Sequence, residues 1–372
     1  MPAARARAGV DPVRASGLRL RSTVEPFGAP DGNVYLLAGG GEAELVVEEA
    51  SPAQRALLEL LSAGVDDVED LVRRLAGRGF NDVPAADIVE QLAAVGMLER
   101  PLSPACPEPT RYARQLLYFG DVAPLADPGD AQIRLHEARV VVLGCGGLGS
   151  WALCGLACAG VGTLVLVDDD EIDLSNLNRQ LLYRAADVGR RKVEVAAEAL
   201  SAFNPGLALH PVPRRVASPA DIEALIDGAD LLIETADWPQ YDLSRWVNEA
   251  CTRAGVAHIS AGQAPPLLRL GPLYVPGLTA CHACQEAATR EAYPLFDALE
   301  AFRRSRPVAA AATLGPASGL IGSILSMEAL HHLTGLTEPA TLGTSIALDM
   351  RTLETTKEVI ARRPDCPVCR DA

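Results

Sequence analysis

An uninterrupted apolar run, Val140-Val141-Val142-Leu143, leads straight into Gly144-Cys145-Gly146-Gly147-Leu148-Gly149, and this junction constrains the chain more than any other stretch. β-branched residues without polar alternation read as a strand buried on both faces. Glycines directly after such a strand allow a tight turn and let the backbone approach a phosphate beside a helix N-terminus. A helical pattern through Ala159 and a second apolar run, Leu164-Val165-Leu166-Val167, complete a β-α-β unit, and Asp230-Leu231-Leu232-Ile233 supplies a later strand. The expected fold is α/β, a Rossmann-like, doubly wound, mainly parallel sheet. Asp168 ends the second strand, where a carboxylate meets ribose hydroxyls. On this turn alone, a nicotinamide or flavin dehydrogenase remains open beside other nucleotide-using enzymes.

The residues that follow separate these readings. Asn176, Arg179 and Gln180, then Lys192 at the end of Asp187-Val188-Gly189-Arg190-Arg191-Lys192, put two amides and two cations near the same pocket. A dinucleotide dehydrogenase needs no such cluster at its diphosphate. A triphosphate that loses diphosphate does, because negative charge gathers on the leaving group and fixed cations stabilise it as it develops.

Two Cys-x-x-Cys pairs, Cys281/Cys284 and Cys366/Cys369, have the spacing at which both thiolates of a pair reach one ion. Together they complete a tetrahedral Cys₄ shell for structural zinc with no open position, and His282 is a bystander. A redox dithiol is the competing reading, but such motifs come singly. Cys145, Cys154, Cys158 and Cys251 read as small buried hydrophobes.

Residues 18–50 alternate apolar and polar positions around Gly39, Gly40 and Gly41, a β-hairpin signature, and helical patterns follow at Ser51-Pro52, 68–75 and 85–95. A small sheet with three helices is a winged-helix (α+β) layout, often used on DNA. Here Glu42, Glu44, Glu48, Glu49, Glu59, Asp66, Asp67, Glu69 and Asp70 make the segment acidic, and the whole chain carries −15. Neither a nucleic acid nor an anionic membrane is therefore an expected partner. An exposed edge of the small sheet suits an extended peptide added as a strand; a dimerisation or spacer role is the alternative. Four prolines in residues 101–109 mark a linker, giving domains at 18–100 and 101–372. The uncharged stretches 140–167 and 307–327 are broken by glycines or rich in small residues, so no membrane span is expected. No apolar segment follows Arg5, Arg7 and Arg14, so no secretory signal is read and a cytoplasmic protein is expected.

The glycine turn, the strand-ending Asp168, Asn-Leu-x-Arg-Gln, Asp-Val-Gly-x-x-Lys and the later Thr235-Ala236-Asp237 resemble the ThiF/MoeB/HesA (ubiquitin-activating-like) adenylating family from about Arg111 onward. The resemblance implies an ATP-dependent adenylyltransferase using ATP, Mg²⁺ and Zn²⁺. It implies a nucleotide site at Gly144, Gly146, Gly147, Gly149, Asp168 and Asp170, with Asn176, Arg179, Gln180 and Lys192 on phosphates and Asp237 on Mg²⁺. Arg111-Tyr112-Ala113-Arg114-Gln115 matches an element that reaches into the partner subunit's site, which implies a homodimer and adds Arg114 to Arg179, Lys192 and Asp237 as catalytic candidates.

Trp238-Pro239 in place of the usual Asn, Trp246-Val247-Asn248 and Gly271-Pro272-Leu273-Tyr274-Val275-Pro276-Gly277-Leu278-Thr279 resemble the microcin C (MccB-like) branch, whose N-terminal segment is a RiPP recognition element. That branch implies adenylation of the C-terminus of a ribosomally made precursor peptide in natural-product biosynthesis. Relatives that pass an acyl group to sulfur use a cysteine after the first zinc pair, and none lies between residues 285 and 365. The alternatives are a non-catalytic leader-peptide-binding partner of another enzyme and a sulfur-carrier adenylyltransferase.

Overall fold

The computed structural model describes residues 17–37, 43–123, 125–306 and 312–370. The glycine turn at residues 39–41, Arg5, Arg7 and Arg14, and the start of the alanine-rich segment after residue 306 lie outside the described residues. Chain contacts divide the protein into two compact units, Met1–Ile133 and Arg134–Ala372.

The N-terminal unit holds β1 (Arg19–Leu20), β2 (Glu25–Gly28), β3 (Val34–Leu37), β4 (Ala43–Val47), α1 (Pro52–Ala63), α2 (Val68–Gly77), α3 (Ala85–Ala94), β5 (Leu98–Glu99) and α4 (Ala113–Val122). α5 (Pro128–Glu137) carries the chain onward. β2, β3 and β4 form an antiparallel sheet in that order, and β1 pairs with β5. The expected hairpin is thus three-stranded. β2 is exposed along its length, so it shows none of the apolar alternation that marks a half-buried strand. Ser51 and Gln54 cap α1 reciprocally behind Pro52, and Asp67 caps α2. Leu36, Leu57, Leu61, Leu71, Val89 and Leu98 meet in one core.

The C-terminal unit is built on β6 (Arg139–Leu143), β7 (Thr163–Val167), β8 (Ala208–Val212), β9 (Leu231–Glu234), β10 (Ala257–Ala264), β11 (Leu267–Tyr274), β12 (Thr344–Asp349) and β13 (Thr355–Val359), one eight-stranded sheet in the order 13-12-11-10-9-6-7-8. From β8 to β10 neighbouring strands are parallel; β11, β12 and β13 extend the sheet antiparallel. The helices are α6 (Gly147–Ala159), α7 (Lys192–Phe203), α8 (Pro219–Leu225), α9 (Asp242–Ala254), α10 (His282–Ala292), α11 (Phe296–Arg304) and α12 (Gly315–Thr334). α8 and α9 bury Ile222, Leu225, Val247 and Cys251 against Val141, Val165 and Leu232 on one face. Val140, Val142, Leu164 and Leu166 alternate to the other face and are fully buried there. This mixed, doubly wound α/β unit is the architecture the apolar runs imply. Among the described residues no helix is long and apolar enough to cross a membrane.

Candidate functional site

The carboxyl ends of β6, β7 and β9 open onto a cleft of about 540 Å³, the place where parallel sheets bind ligands. Its floor is the turn from β6 into α6. Gly144 has φ of +94°, and a Cβ there would sit 2.7 Å from the Ala236 nitrogen. A Cβ on Gly149 would run into the Gly144 carbonyl oxygen, so this glycine presses the first turn of α6 onto the strand end. Gly144, Gly146 and Gly147 line the cleft.

Asp168 is pinned by two backbone donors, the Cys145 N–H to Oδ2 at 2.7 Å and the Asp170 N–H to Oδ1 at 2.9 Å. Burial raises its pKa, and Lys192 and those two donors pull against the rise. The buried Lys192 ammonium lies 2.6 Å from Asp170 Oδ2. Arg179 is aimed by hydrogen bonds from Nη1 to the Ser175 carbonyl at 2.9 Å and to Asn178 Oδ1 at 3.0 Å, while its own carbonyl accepts from Trp151 Nε1 at 3.0 Å. Asn176 caps the short turn before it, its Oδ1 accepting from the Asp173 N–H at 3.1 Å. Gln180 is only 4% exposed, and its carboxamide oxygen has no hydrogen-bond partner. Asp237 follows β9 and stays exposed at the rim.

The cleft therefore gathers Asp168, Asp170, Asn176, Arg179, Gln180, Lys192 and Asp237 beside the glycine turn. Gly149 lies beneath that turn, and Arg114 stands exposed on α4 of the N-terminal unit. The structure adds lining residues that sequence reasoning missed: Arg214, Arg215, Gln263 and Ser318. Arg215 pairs with Asp169 at 2.9 Å. An arginine doublet just past β8 was a signal for two of them; Gln263 and Ser318 carry no local signal.

A second cluster joins distant residues. Cys281 Sγ lies 3.9 Å from Cys284 Sγ and 3.6 Å from Cys366 Sγ, and Cys284 Sγ lies 3.6 Å from Cys369 Sγ, all four thiols being buried. A tetrahedron with zinc–sulfur arms of about 2.3 Å has edges of about 3.8 Å, so this donor set suits zinc. His282 is not among the grouped ligands.

The model of the ThiF family matches residues 112–368. The chain belongs to the ThiF family. Among its ThiF-family relatives, the sulfur carrier protein ThiS adenylyltransferase of Escherichia coli is 32% identical over 262 residues, covering 70% of this chain and 94% of that protein. Molybdopterin-synthase adenylyltransferase of the same organism is 34% identical over 263 residues, covering 70% and 96%. A crystal structure of E. coli MccB with AMPCPP and MccA superposes with a TM-score of 0.73 at 25% identity, covering 95% of this chain and 99% of that one. This ThiF-family chain is an ATP-dependent adenylyltransferase.

Proposed function

We propose that the chain adenylates the C-terminal carboxylate of a ribosomally made precursor peptide in natural-product biosynthesis. One observation carries this reading beyond the family activity. The sulfur-carrier relatives align with only 70% of the chain, and the family model starts at residue 112, whereas MccB matches 95% of it. The N-terminal unit thus has a counterpart in the enzyme solved with MccA and none in the alignment with the carrier enzymes.

That unit offers a seat for a peptide. β4 is one of the two edge strands of its sheet, and beside it an apolar groove of about 350 Å³ is lined by Val46, Leu57, Leu58, Ile88, Leu92 and Val95. An extended peptide would add to β4 through main-chain hydrogen bonds and drop alternate apolar side chains into the groove. In this role residues 18–100 act as a peptide-recognition domain and residues 101–372 as the adenylation domain.

In the cleft, a carboxylate oxygen of the peptide bonds to the α-phosphorus of ATP, the bond to the bridging oxygen breaks, and diphosphate leaves with the electron pair. An ionised carboxylate needs no general base. The glycine turn and the start of α6 hold phosphate oxygens, and Asp168 and Asp170 serve the ribose side. Asn176, Arg179, Gln180 and Lys192 face the phosphates; Lys192 exchanges its Asp170 partner for them. Arg114 reaches the phosphates of the partner subunit in a homodimer. The exposed stripe Leu320, Ile324 and Met327 on α12 supports such an association. Asp237, an open carboxylate on the cleft, is suited to hold Mg²⁺, which when bound offsets charge on the phosphate oxygens. Zinc on the cysteine cluster is structural.

The test is diphosphate release from Mg-ATP by the purified protein with the peptide encoded beside its gene. Peptide-dependent release is expected. Release that needs a carrier protein ending in Gly-Gly would instead favour the sulfur-carrier reading, for which the 32–34% identities speak.

A further inference from the structure

The longest described helix of the C-terminal unit, α12, meets the same cleft as α6 through its first turn, apart from the exposed stripe on its outer face. α6 has 13 residues and α12 has 20; neither N-cap residue, Gly146 or Leu314, supplies a capping side chain, and neither first turn contains an acid. The start of α6, where Gly146, Gly147 and Leu148 line the cavity, turns the positive end of its dipole toward it, whereas α12, whose first turn contains Pro316 and whose Ser318 N–H bonds to the Leu314 carbonyl, reaches the cavity through the Ser318 side chain.

The two helices run parallel and unusually close. Ser318 Oγ would meet a Cβ on Gly147 at 3.3 Å, Trp151 Cβ would meet one on Gly322 at 2.6 Å, and Ser326 would clash with one on Gly155. These contacts advance along both helices in the same direction, one turn at a time. Gly315, the first residue of α12, is pressed equally hard against the Asn178 carbonyl, 2.6 Å from where a Cβ would stand, on the loop that carries Arg179 and Gln180. Parallel neighbours bring like dipole ends together, an arrangement that disfavours the free protein and that an anion beside the two N-terminal ends offsets.

Side chains at this junction are also incomplete in a way that points to a ligand. Ser318 is fully buried, and its Oγ accepts from Gln263 Nε2 at 2.7 Å, leaving its own O–H with no acceptor among the described residues. Gln263 Oε1 and Gln180 Oε1 are buried without partners, and Gln180, Gln263, Ser318 and Thr313 all line the cleft. Buried carboxamide oxygens left unpaired lose their hydration with nothing in return, so a ligand donor is called for. A ligand that is anionic at one point and an N–H donor a few ångströms away satisfies both features. The terminal residue of a polypeptide, with its carboxylate and its own backbone N–H, is such a group.

We propose that the Ser318 hydroxyl, in the first turn of α12, seats the reacting carboxylate by donating to it, with Gln263 Oε1 accepting the N–H of the same terminal residue, while the start of α6 seats the nucleotide phosphates. The inference rests on the adenylation reading and names the acceptor half of its site. It makes Ser318 and Gln263 residues that recognise any polypeptide terminus, leaving sequence preference to other surfaces.

The test compares two probes by calorimetry on the full chain: 5′-O-sulfamoyladenosine, and the same compound carrying an N-acetylalanyl group on the sulfamate, a stable mimic of a peptidyl adenylate. The wild type is expected to bind the acylated probe more tightly. Ser318→Ala and Gln263→Leu are each expected to shrink that advantage by about tenfold, the loss of one hydrogen bond to a charged or buried partner. Should Ser318→Ala fail to fold, Gln263→Leu, at a less buried position, carries the test. An advantage preserved in a folded variant, or no advantage in the wild type, overturns the carboxylate seat and leaves adenylation standing. A wild type that binds neither probe nor ATP overturns the adenylation reading itself.

Discussion

The cysteine cluster and the nucleotide cleft are both assembled from residues far apart in the chain, yet one is closed on itself and the other is left wanting. In the cluster, four buried thiols sit at the edge lengths of a single tetrahedron. In the cleft, two carboxamide oxygens lack partners, an ammonium leans on a neighbouring aspartate, and two helix starts go uncapped. A set of polar groups that completes itself around one ion reads as structure; a set that stays incomplete in the protein alone reads as a place for substrate.

Breaking the closed site should have the largest effect. Cys281→Ser, or stripping with a chelator, is expected to release zinc and unfasten the segment around Cys366 and Cys369, a loss on the order of 10 kcal/mol in binding free energy. Metal analysis with a melting curve checks this; a stripped protein with unchanged Tm would show that the cluster does not hold the unit together.

Arg179→Ala acts on the open site alone. Only the Arg179 main chain is bonded to Trp151, so the loop should keep its place. Diphosphate release is expected to fall about 10²–10³-fold, as for removal of one preorganised charge-stabilising donor, with zinc content and Tm near wild type. A matching fall in Tm would erase the contrast.

Glu234 ends β9, the strand that delivers Asp237 to the cleft. Burial pushes its pKa up to about 7, although Ser244 donates to it. A carboxyl whose pKa is raised by folding adds stability that is complete below its unfolded value of about 4.5 and is lost as pH rises to about 7. Stability should therefore drop by roughly 3 kcal/mol across that window and stay flat above it. Denaturant melts from pH 4.5 to 8 check the trend, and Glu234→Gln should remove this step; an identical profile in the variant would place the pH dependence elsewhere.

Val95→Glu should have the smallest effect. It sits on the rim of the groove beside β4, and its substitution is expected to weaken binding of the precursor peptide about tenfold, with ATP binding and Tm unchanged. Unaltered affinity would move peptide recognition off this unit.

Much of the cleft was legible in the sequence because its parts are local. A strand, a glycine turn and a helix are consecutive, and the loop from Asn176 to Lys192 returns to the same strand ends, so residue types and spacing declare the chemistry. Gln263 and Ser318 were not legible. Their place depends on β10 running past the strand ends and on α12 lying against α6, and that approach depends on Gly155, Gly319 and Gly322, small residues that look like any buried helix. In the N-terminal unit, three helices and a sheet were readable, but β2 was not, since an exposed strand has no apolar period. The peptide groove is a matter of shape and carries no motif.

Calorimetric titration of Mg-ATP and of NAD into the full chain decides whether the cleft is built for a triphosphate. Saturable ATP binding that Arg179→Ala weakens at least tenfold is expected, with no heat from NAD. Saturable NAD binding that ATP fails to displace would show a dinucleotide site instead.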